Sequence, residues 1–512
     1  MNNKIMLENV YGKTPFHGNG KLTGIKYNLD KSVIAVVSEF SLYGWAGRKL
    51  ENRNLPFRYR VQLYNIKTLE SISCLDVPYP INEIAFHPQE CLVFLGTGSF
   101  DGGFLYEGEL LNWDYHTGEL FSLLEESREI ISVNFDEKDD MLNFTVSPED
   151  DWENKKYKDL FVYKTDDFYN KQKLNNFMQI GTTPKVNKIY SIQSKKRTHS
   201  DCSKELKKLC PEYEYRANIW DIKWRNGEDI FCVGESPFLE KWNFGKKQSI
   251  FHEKGRGCQL FISSNKERVY VHSEEMELNA ELGFDLLSGY LSIYNPSDLE
   301  IESKMKQSFP HFIVHKNKVD VFLVMDEVFH NHDTKKRVYT SSLDFITNYE
   351  MDDCDRFISV EDEDFFFKST KERIIKFNRE NNKQTNYSLS EIVKGPTHEA
   401  CQTEPGTFIV TYGERDVGYN IMKIEIETMK VIWTQLLPTQ VIVMRYMKEK
   451  DVVVCSLASG KLVIISESTG EVKVLEEVIV DKCKTMILSL DIYGDRVAAG
   501  TIDGLVLCYH VS

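Results

Sequence analysis

The amino-acid sequence predicts an all-β fold, a β-propeller of four-stranded antiparallel blades. Two observations support this prediction. Short apolar runs rich in Val, Ile, Tyr and Phe recur along the 512 residues, separated by turn residues. These runs also form similar groups, and a group of such short strands must stack on another copy to bury both of its faces. We therefore expect a repeat array, with a single ring of roughly seven to ten blades favoured.

The clearest group of strands lies between residues 81 and 124. Ile81 to Phe86 is predicted to be its first strand, because this run is followed by the turn residues His87-Pro88. Three further apolar runs complete the group, and the turn Thr117-Gly118 precedes the last of them. These runs are Cys91 to Gly96, Glu109 to Tyr115 and Leu120 to Leu124.

Two groups near the C-terminus repeat this order of strands and turns. The first extends from Val441 to Leu475 and contains the turn Thr469-Gly470, and the second extends from Met486 to Tyr509. In the second group, Asp503-Gly504 separates two apolar runs. An Asp-Gly pair in this setting is a strong hairpin signal, because Gly tolerates the positive φ of a tight turn.

Weaker copies of the group fill the rest of the chain, giving about ten units of about 50 residues. Propellers usually have about four to eight blades. Three interpretations follow: the count divides some blades in two, the ring is unusually large, or the chain forms two rings. A single ring is the default expectation.

The two ends of the chain are predicted to close the array. The last unit ends at Ser512, directly after its third strand, and the short apolar segment Ile5 to Val10 precedes the first complete unit. An open array would leave unpaired sheet edges, which proteins normally cover. We therefore expect Ile5 to Val10 to pair beside Leu505 to His510 as the missing fourth strand.

Two segments resemble blades of known propellers. Leu111 to Glu119, with Trp113-Asp114 and Thr117-Gly118, is similar to the third-strand ending of a WD40 blade. Gly460 to Glu471 resembles a WD40 or quinoprotein-type blade. The chain is thus identified as a degenerate WD40-like repeat protein, although Trp220-Asp221 falls on a first strand and no Gly-His dipeptide occurs. The resemblance implies a scaffold that binds other proteins.

Residues 169–214 interrupt the repeat and are interpreted as an insertion on one face of the array. The part from Ser203 to Leu209 is predicted to form a short helix that ends before Pro211. Between Lys171 and Cys210, ten basic residues face two acidic ones, a local charge of +8 on a chain of net charge −15. The predicted partner-binding residues are Lys195, Lys196, Arg197, Lys204, Lys207 and Lys208.

Apolar residues lie among these charges, and they leave two interpretations open. They are Phe177, Met178, Ile180, Ile189, Tyr190, Ile192, Leu206 and Leu209. Some of them could anchor on a partner protein. Alternatively, they hold the insertion on its own propeller while the lysines face water.

Composition excludes several other classes of protein. The net charge of −15 and pI of about 5.4 argue against a nucleic-acid-binding body, which needs a basic footprint. The chain lacks a signal-peptide pattern and a long apolar run, so we expect no membrane association and a cytoplasmic location. The 11 cysteines include no C-x-x-C pair. We therefore expect free thiols, without structural zinc or disulfides.

No motif indicates catalysis or a cofactor. His330 and His332 with Asp333 form the best metal-like cluster, but a polar hairpin tip explains them as well. The acidic run Glu361 to Asp364 lacks calcium-loop spacing and is interpreted as a turn between strands. We expect a non-catalytic protein-interaction scaffold without a cofactor. The alternative is a propeller enzyme or small-ligand binder with a site at the central channel.

Overall fold

Ten four-stranded antiparallel sheets follow one another along the chain in a computed structural model. The structure describes residues 4–40, 58–100, 106–124, 129–136, 141–147, 159–165, 178–184, 197–252, 254–279, 284–307, 310–316, 321–326, 335–340, 342–350, 356–361, 364–369, 372–378, 381, 383–414 and 418–512. Numbered in chain order as sheets 1 to 10, the sheets confirm the ten units expected from the sequence.

The strands of the first five sheets have the following bounds. Sheet 1 contains Lys21–Tyr27, Val33–Glu39, Tyr59–Asn65 and Ser71–Val77; sheet 2 contains Ile81–Phe86, Leu92–Thr97, Leu110–Asp114 and Leu120–Leu124; sheet 3 contains Ile130–Asp136, Met141–Val146, Asp159–Thr165 and Met178–Pro184; sheet 4 contains Ala217–Trp224, Asp229–Ser236, Leu239–Asn243 and Lys246–Ile250; sheet 5 contains Gly255–Ile262, Val269–Asn279, Phe284–Tyr294 and Ile301–Gln307.

The strands of the remaining sheets are bounded in the same way. Sheet 6 contains Pro310–Lys316, Val321–Asp326, Lys335–Tyr339 and Phe345–Glu350; sheet 7 contains Arg356–Glu361, Asp364–Ser369, Arg373–Asn378 and Lys383–Ser388; sheet 8 contains Thr397–Glu404, Thr407–Glu414, Gly418–Glu425 and Lys430–Leu437; sheet 9 contains Val441–Met447, Val452–Leu457, Lys461–Ser466 and Val472–Glu477; sheet 10 contains Ile487–Tyr493, Arg496–Thr501, Val506–Val511 and the N-terminal Ile5–Tyr11.

Three smaller kinds of element complete the described secondary structure. Two short hairpins pair Ser99–Phe100 with Tyr106–Glu107 and Ile479–Val480 with Cys483–Lys484. A 3-10 turn covers Lys448–Lys450. One α-helix, α1, covers His199–Leu209 and confirms the helix predicted before Pro211.

Each of the ten sheets has a β-bulge in its first strand, opposite the second strand. A bulge adds one unpaired residue and increases the local right-handed twist. The predicted turns between the third and fourth strands are also present. Gly118 and Gly470 have φ of +81° and +76°, and the Asp114 carboxylate accepts the backbone N–H of Thr117 at 3.0 Å.

The N-terminal strand completes sheet 10, which confirms the predicted pairing of the chain ends. Ile5 lies opposite Val511 and Val10 lies opposite Leu507 in an antiparallel ladder. The strand covers the edge that the third strand of the last unit would otherwise expose.

Sheets 4 to 10 contact one another in sequence order. Leu260 of sheet 5 donates its backbone N–H to Asp221 of sheet 4 at 3.0 Å. Leu343, in the connection between the third and fourth strands of sheet 6, packs with Tyr270 of sheet 5. Sheets 6 and 7 contact through their first strands, as do sheets 8 and 9. Phe366 of sheet 7 lies 5.1 Å from Phe408 of sheet 8, measured between ring centroids.

Sheet 10 contacts both sheet 9 and sheet 4, and this closes the sequence of contacts into a ring of seven sheets. The Ser456 hydroxyl donates to the Ile487 carbonyl, joining sheets 9 and 10 at 2.7 Å. The Ser489 hydroxyl donates to the Ile219 carbonyl at 2.9 Å, joining sheets 10 and 4. The ring therefore consists of the described strands of sheets 4 to 10, including the N-terminal strand.

Sheets 1 to 3 lie outside this ring and form an arc. Leu63 of sheet 1 and Leu95 and Trp113 of sheet 2 share one buried core. The Asn82 side chain of sheet 2 donates to the Ile130 carbonyl of sheet 3 at 3.2 Å. Because sheet 10 packs directly on sheet 4, the arc is not inserted between them.

A buried arginine joins the arc to the ring. Arg60 of sheet 1 is fully buried and donates two hydrogen bonds to Asp76, at 2.7 and 3.0 Å. It also donates to the Lys484 carbonyl of the ring at 2.5 Å, and its guanidinium lies 3.7 Å from the Asp503 carboxylate. A buried charge needs such partners, so Arg60 fixes the arc in place.

A pair of glycine substitutions tests the contact between sheets 10 and 4. Both Gly504 and Gly494 have positive φ, +78° and +61°. A Cβ at Gly504 would lie 2.5 Å from the Arg216 Cβ, whereas a Cβ at Gly494 would meet nothing within 4 Å. We expect G494A to cost roughly 1–2 kcal/mol and G504A about 1–3 kcal/mol more, because of overpacking. Denaturant unfolding measures both, and equal costs would contradict the close contact.

Candidate functional site

The helix α1 is the described part of the basic segment predicted to bind a partner. Thr198 caps its first turn by accepting the backbone N–H of Asp201 at 3.1 Å. Cys202 and Leu206 point inward and are fully buried in a core that includes Leu22 and Tyr64 of sheet 1. The spacing of four residues places these two side chains on one helix face, and that face holds α1 on the arc.

His199 fixes the beginning of α1. Its Nδ1 accepts the backbone N–H of Leu22 at 3.0 Å, and its Nε2 lies 3.2 Å from the Ser203 hydroxyl. The imidazole ring packs against Tyr215 with centroids 4.3 Å apart. Burial, assisted by the nearby Lys21 ammonium, lowers the pKa of His199. The neutral ring is the form that accepts from Leu22.

The solvent face of α1 carries three of the six predicted site residues. Lys204, Lys207 and Lys208 are exposed, and their spacing of three and four residues makes them neighbours on the helix surface. Within the described residues none of the three forms an ion pair. Asp201 and Glu205 of the same helix interact electrostatically with Lys204 and Lys208, so part of this charge is balanced and the remainder projects outward.

The other three predicted site residues precede α1 in the sequence. Arg197 forms an ion pair with Glu205 of α1, so its charge is already matched. Lys195 and Lys196 lie outside the described residues. The six residues predicted from the sequence therefore separate into three exposed lysines without an ion pair among the described residues, one arginine in an ion pair, and two residues outside the described part of the chain.

The described parts of the basic segment pack or pair with the rest of the chain. Leu206 and Leu209 belong to the core shared with sheet 1. This favours the interpretation in which these two leucines hold the segment on its own propeller. Residues 178–184 form the fourth strand of sheet 3, so this part of the predicted insertion belongs to the arc. Phe177, Ile189, Tyr190 and Ile192 lie outside the described residues.

The predicted alternative is a site at the central channel, and its candidate residues lie on the first strands of the ring sheets. Asp221 and Asp491 both lie on such strands, in sheets 4 and 10. Lys223 lies between them, with its Nζ 3.4 Å from Asp221 and 4.0 Å from Asp491. Burial raises the pKa of Asp491, an effect that Lys223 opposes. This is a cluster of charges of the kind that a ligand site would contain.

Both carboxylates, however, bind backbone groups of the neighbouring sheet. Asp491 accepts the N–H of Trp224 at 2.8 Å, and Asp221 accepts the N–H of Leu260 at 3.0 Å. The first strand of each sheet has an open edge, whose buried N–H groups need acceptors. The two carboxylates therefore join neighbouring sheets of the ring.

The remaining motifs do not assemble into a site. His330, His332 and Asp333 lie outside the described residues. Glu361 and Asp364 end and begin adjacent strands and pair with each other, as predicted for a turn. The described part of the chain contains no group of three or more His, Cys, Asp or Glu residues that could hold a metal ion. The ten described cysteines are free thiols.

Comparisons with known proteins found similar solved structures but no related sequence family. No protein-family model matches the chain, and no curated protein matches its sequence. Solved structures do match: the WD40 β-propeller domain of Doa1 (TM-score 0.44, 14% identity, covering 58% of this chain and 94% of that chain), a chain of the mitotic checkpoint complex (0.43, 10%, 58% and 91%), and U3-55K (0.44, 11%, 58% and 97%). The predicted all-β propeller of four-stranded blades is confirmed by the sheets and their ring of contacts, and the chain is similar to these WD40 structures in fold alone. Across the described residues, no helix is both long and apolar enough to cross a bilayer.

A pH experiment tests the attachment of α1. The folded-state pKa of His199 lies below the ordinary value of about 6.5. The unfolded chain therefore binds this proton more readily, so stability is complete above about pH 6.5 and falls as the pH decreases below it. An H199N variant offers an acceptor that does not titrate. We expect the Tm of the wild type to fall more than that of H199N between pH 7.5 and 5.5, and equal losses would contradict this role.

Substitutions at Asp491 test whether its carboxylate is structural. In D491N the amide oxygen can still accept from Trp224, so we expect little loss of stability. In D491A the part-buried N–H of Trp224 loses its acceptor, at a cost of about 1 kcal/mol or more. Denaturant unfolding compares the two variants. If D491N is as unstable as D491A, the negative charge rather than the hydrogen bond joins the sheets.

Proposed function

We propose that the protein is a non-catalytic protein-interaction scaffold built on a WD40-like propeller, and that the solvent face of α1 binds an acidic partner protein. The observation that carries the proposal is the outward display of Lys204, Lys207 and Lys208 on a helix whose opposite face is buried. A fixed helix presents these charges without the entropy cost of ordering a loop.

Charge supports the choice of an acidic partner. The three lysines form a local positive face on a chain of net charge −15. Such a face steers an acidic protein towards α1, whereas the rest of the chain repels it. Nucleic acid is the less favoured partner, since the acidic body repels the phosphate groups that extend beyond the face.

The Asp221–Asp491 cluster favours a second candidate function, a ligand-binding or catalytic site at the channel. This candidate ranks below the scaffold because both carboxylates accept backbone N–H groups of the next sheet. A group committed to such a bond is less available to a substrate.

Charge reversal on α1 tests the scaffold. The variant carries K204E, K207E and K208E, and the matched control carries K394E, K430E and K448E, which change the net charge equally at exposed positions elsewhere. Affinity purification with the full chain identifies partners, and the Kd of each purified partner is then measured at low and physiological salt. We expect the α1 variant to bind about tenfold or more weakly at low salt, with less salt dependence.

The control separates the face of α1 from a general charge effect. We expect the control variant to bind like the wild type. If both variants bind every partner equally well, or if both lose binding equally, the face of α1 does not bind the partner.

A further inference from the structure

The turn between the third and fourth strands of sheet 4 contains a phenylalanine in an unfavourable backbone conformation. Phe244 and Gly245 are its two central residues, with φ of +44° and +84°. Two consecutive positive values are typical of a type I′ hairpin turn, in which Asn-Gly and Gly-Gly are preferred. A bulky side chain at positive φ is strained. The chain therefore places Phe244 where an asparagine would be more stable.

Other apolar residues with positive φ are buried or are partly buried against a core, the partly buried ones being Leu69 and Met429. Phe16, Leu299 and Leu343 have positive φ but are only 1%, 4% and 8% exposed, so packing in the core offsets their strain. Phe244 is 73% exposed, more than any other exposed large hydrophobic residue in the described part of the chain. Its strain has no such compensation within the protein. Strain of this kind is typical of functional positions.

The turn is held in place while the phenyl ring points outward. The Asn243 side chain donates to the Asp229 carboxylate at 2.6 Å, which ties the turn to the neighbouring strand. Space around Gly245 is open, since a Cβ there would meet nothing within 4 Å. The side chain of Phe244 is therefore displayed on a fixed hairpin tip.

We propose that Phe244 is an anchor that enters an apolar pocket of a partner protein, with carboxylates of the partner facing Lys246. Lys246 is exposed and has no ion-pair partner within the described residues, whereas the adjacent Lys247 is matched by Glu214 at 2.7 Å. An aromatic anchor beside an unmatched charge has the composition of an interface hot spot. This inference rests on the proposed scaffold function and adds a second contact to it.

Charge favours such a partner protein over two alternatives, a second copy of the chain and an anionic membrane. A second copy of the chain would bring the same unmatched Lys246 and the same net charge of −15, so the copies repel. An anionic membrane surface presents negative charge to the whole facing side of a chain of net charge −15, whereas a partner pocket can present carboxylates next to Lys246 alone. An acidic rim around an apolar pocket complements both Phe244 and Lys246.

Site-specific photo-crosslinking tests the proposal. The photoreactive analogue p-benzoylphenylalanine replaces Phe244 in the full chain and, as a matched control, Leu29, which is 66% exposed in the turn between the first two strands of sheet 1. The protein crosslinked through position 244 is identified and purified, and the crosslinked residue is mapped. We expect an apolar residue of a pocket rimmed by Asp or Glu, with no such product from position 29.

Binding of that purified protein is then measured with F244Y, F244N and wild type. We expect F244Y to bind nearly like the wild type and F244N to bind about tenfold or more weakly. Because Asn-Gly is the preferred sequence for this turn, the Tm of F244N should equal or exceed that of the wild type. A loss of binding therefore cannot come from unfolding.

Several results would overturn the anchor. They are crosslinking only to a second copy of the chain, equal products from positions 244 and 29, or undiminished binding by F244N. Sedimentation of the wild type, but not F244N, with vesicles of phosphatidylcholine and phosphatidylserine would assign Phe244 to a membrane instead. If the α1 charge reversal leaves binding unchanged while F244N weakens it, the anchor stands and only the proposed role of α1 fails.

Discussion

The contact between sheet 10 and sheet 4 is the constraint on which the rest of the architecture depends. Sheet 10 is completed by the N-terminal strand Ile5–Tyr11, and its first strand packs on the first strand of sheet 4. Because these two sheets meet directly, the ring closes with seven sheets, and sheets 1 to 3 must lie outside it. The connection from the N-terminal strand to sheet 4 therefore forms the arc, and Arg60 holds the arc on the ring.

This closure also explains why charged groups occur at the inner strands without forming an evident site. Each first strand has one edge without a neighbouring strand, and buried N–H groups on such an edge need acceptors. Asp221 and Asp491 supply them across the joints between sheets. The two carboxylates thus stabilise the ring, and this argues for seeking function on the outer surfaces.

Two surface features stand out because the fold itself does not need them. The lysines of α1 form no ion pair within the described residues, while the opposite face of the same helix is buried in a core. Phe244 is strained and exposed, while the other apolar residues with positive φ are buried or partly buried against a core. In both cases a feature that is unfavourable or neutral for stability lies on a rigid element, as expected of a docking surface.

The sequence by itself determined the strands, their turns and the pairing of the chain ends, because these depend on local patterns of apolar and turn residues. Ile81–Phe86 and Leu120–Leu124 were predicted at their observed bounds, and the lysines of α1 were singled out by local charge. Only the tertiary structure decided that seven sheets close the ring, that Leu206 faces inward, and that Phe244 is exposed in a left-handed turn. Strand patterns are similar in every blade, so they carry no information on which sheets meet. Ring closure, helix orientation and exposure depend on contacts between residues far apart in the chain, such as Ser489 with Ile219.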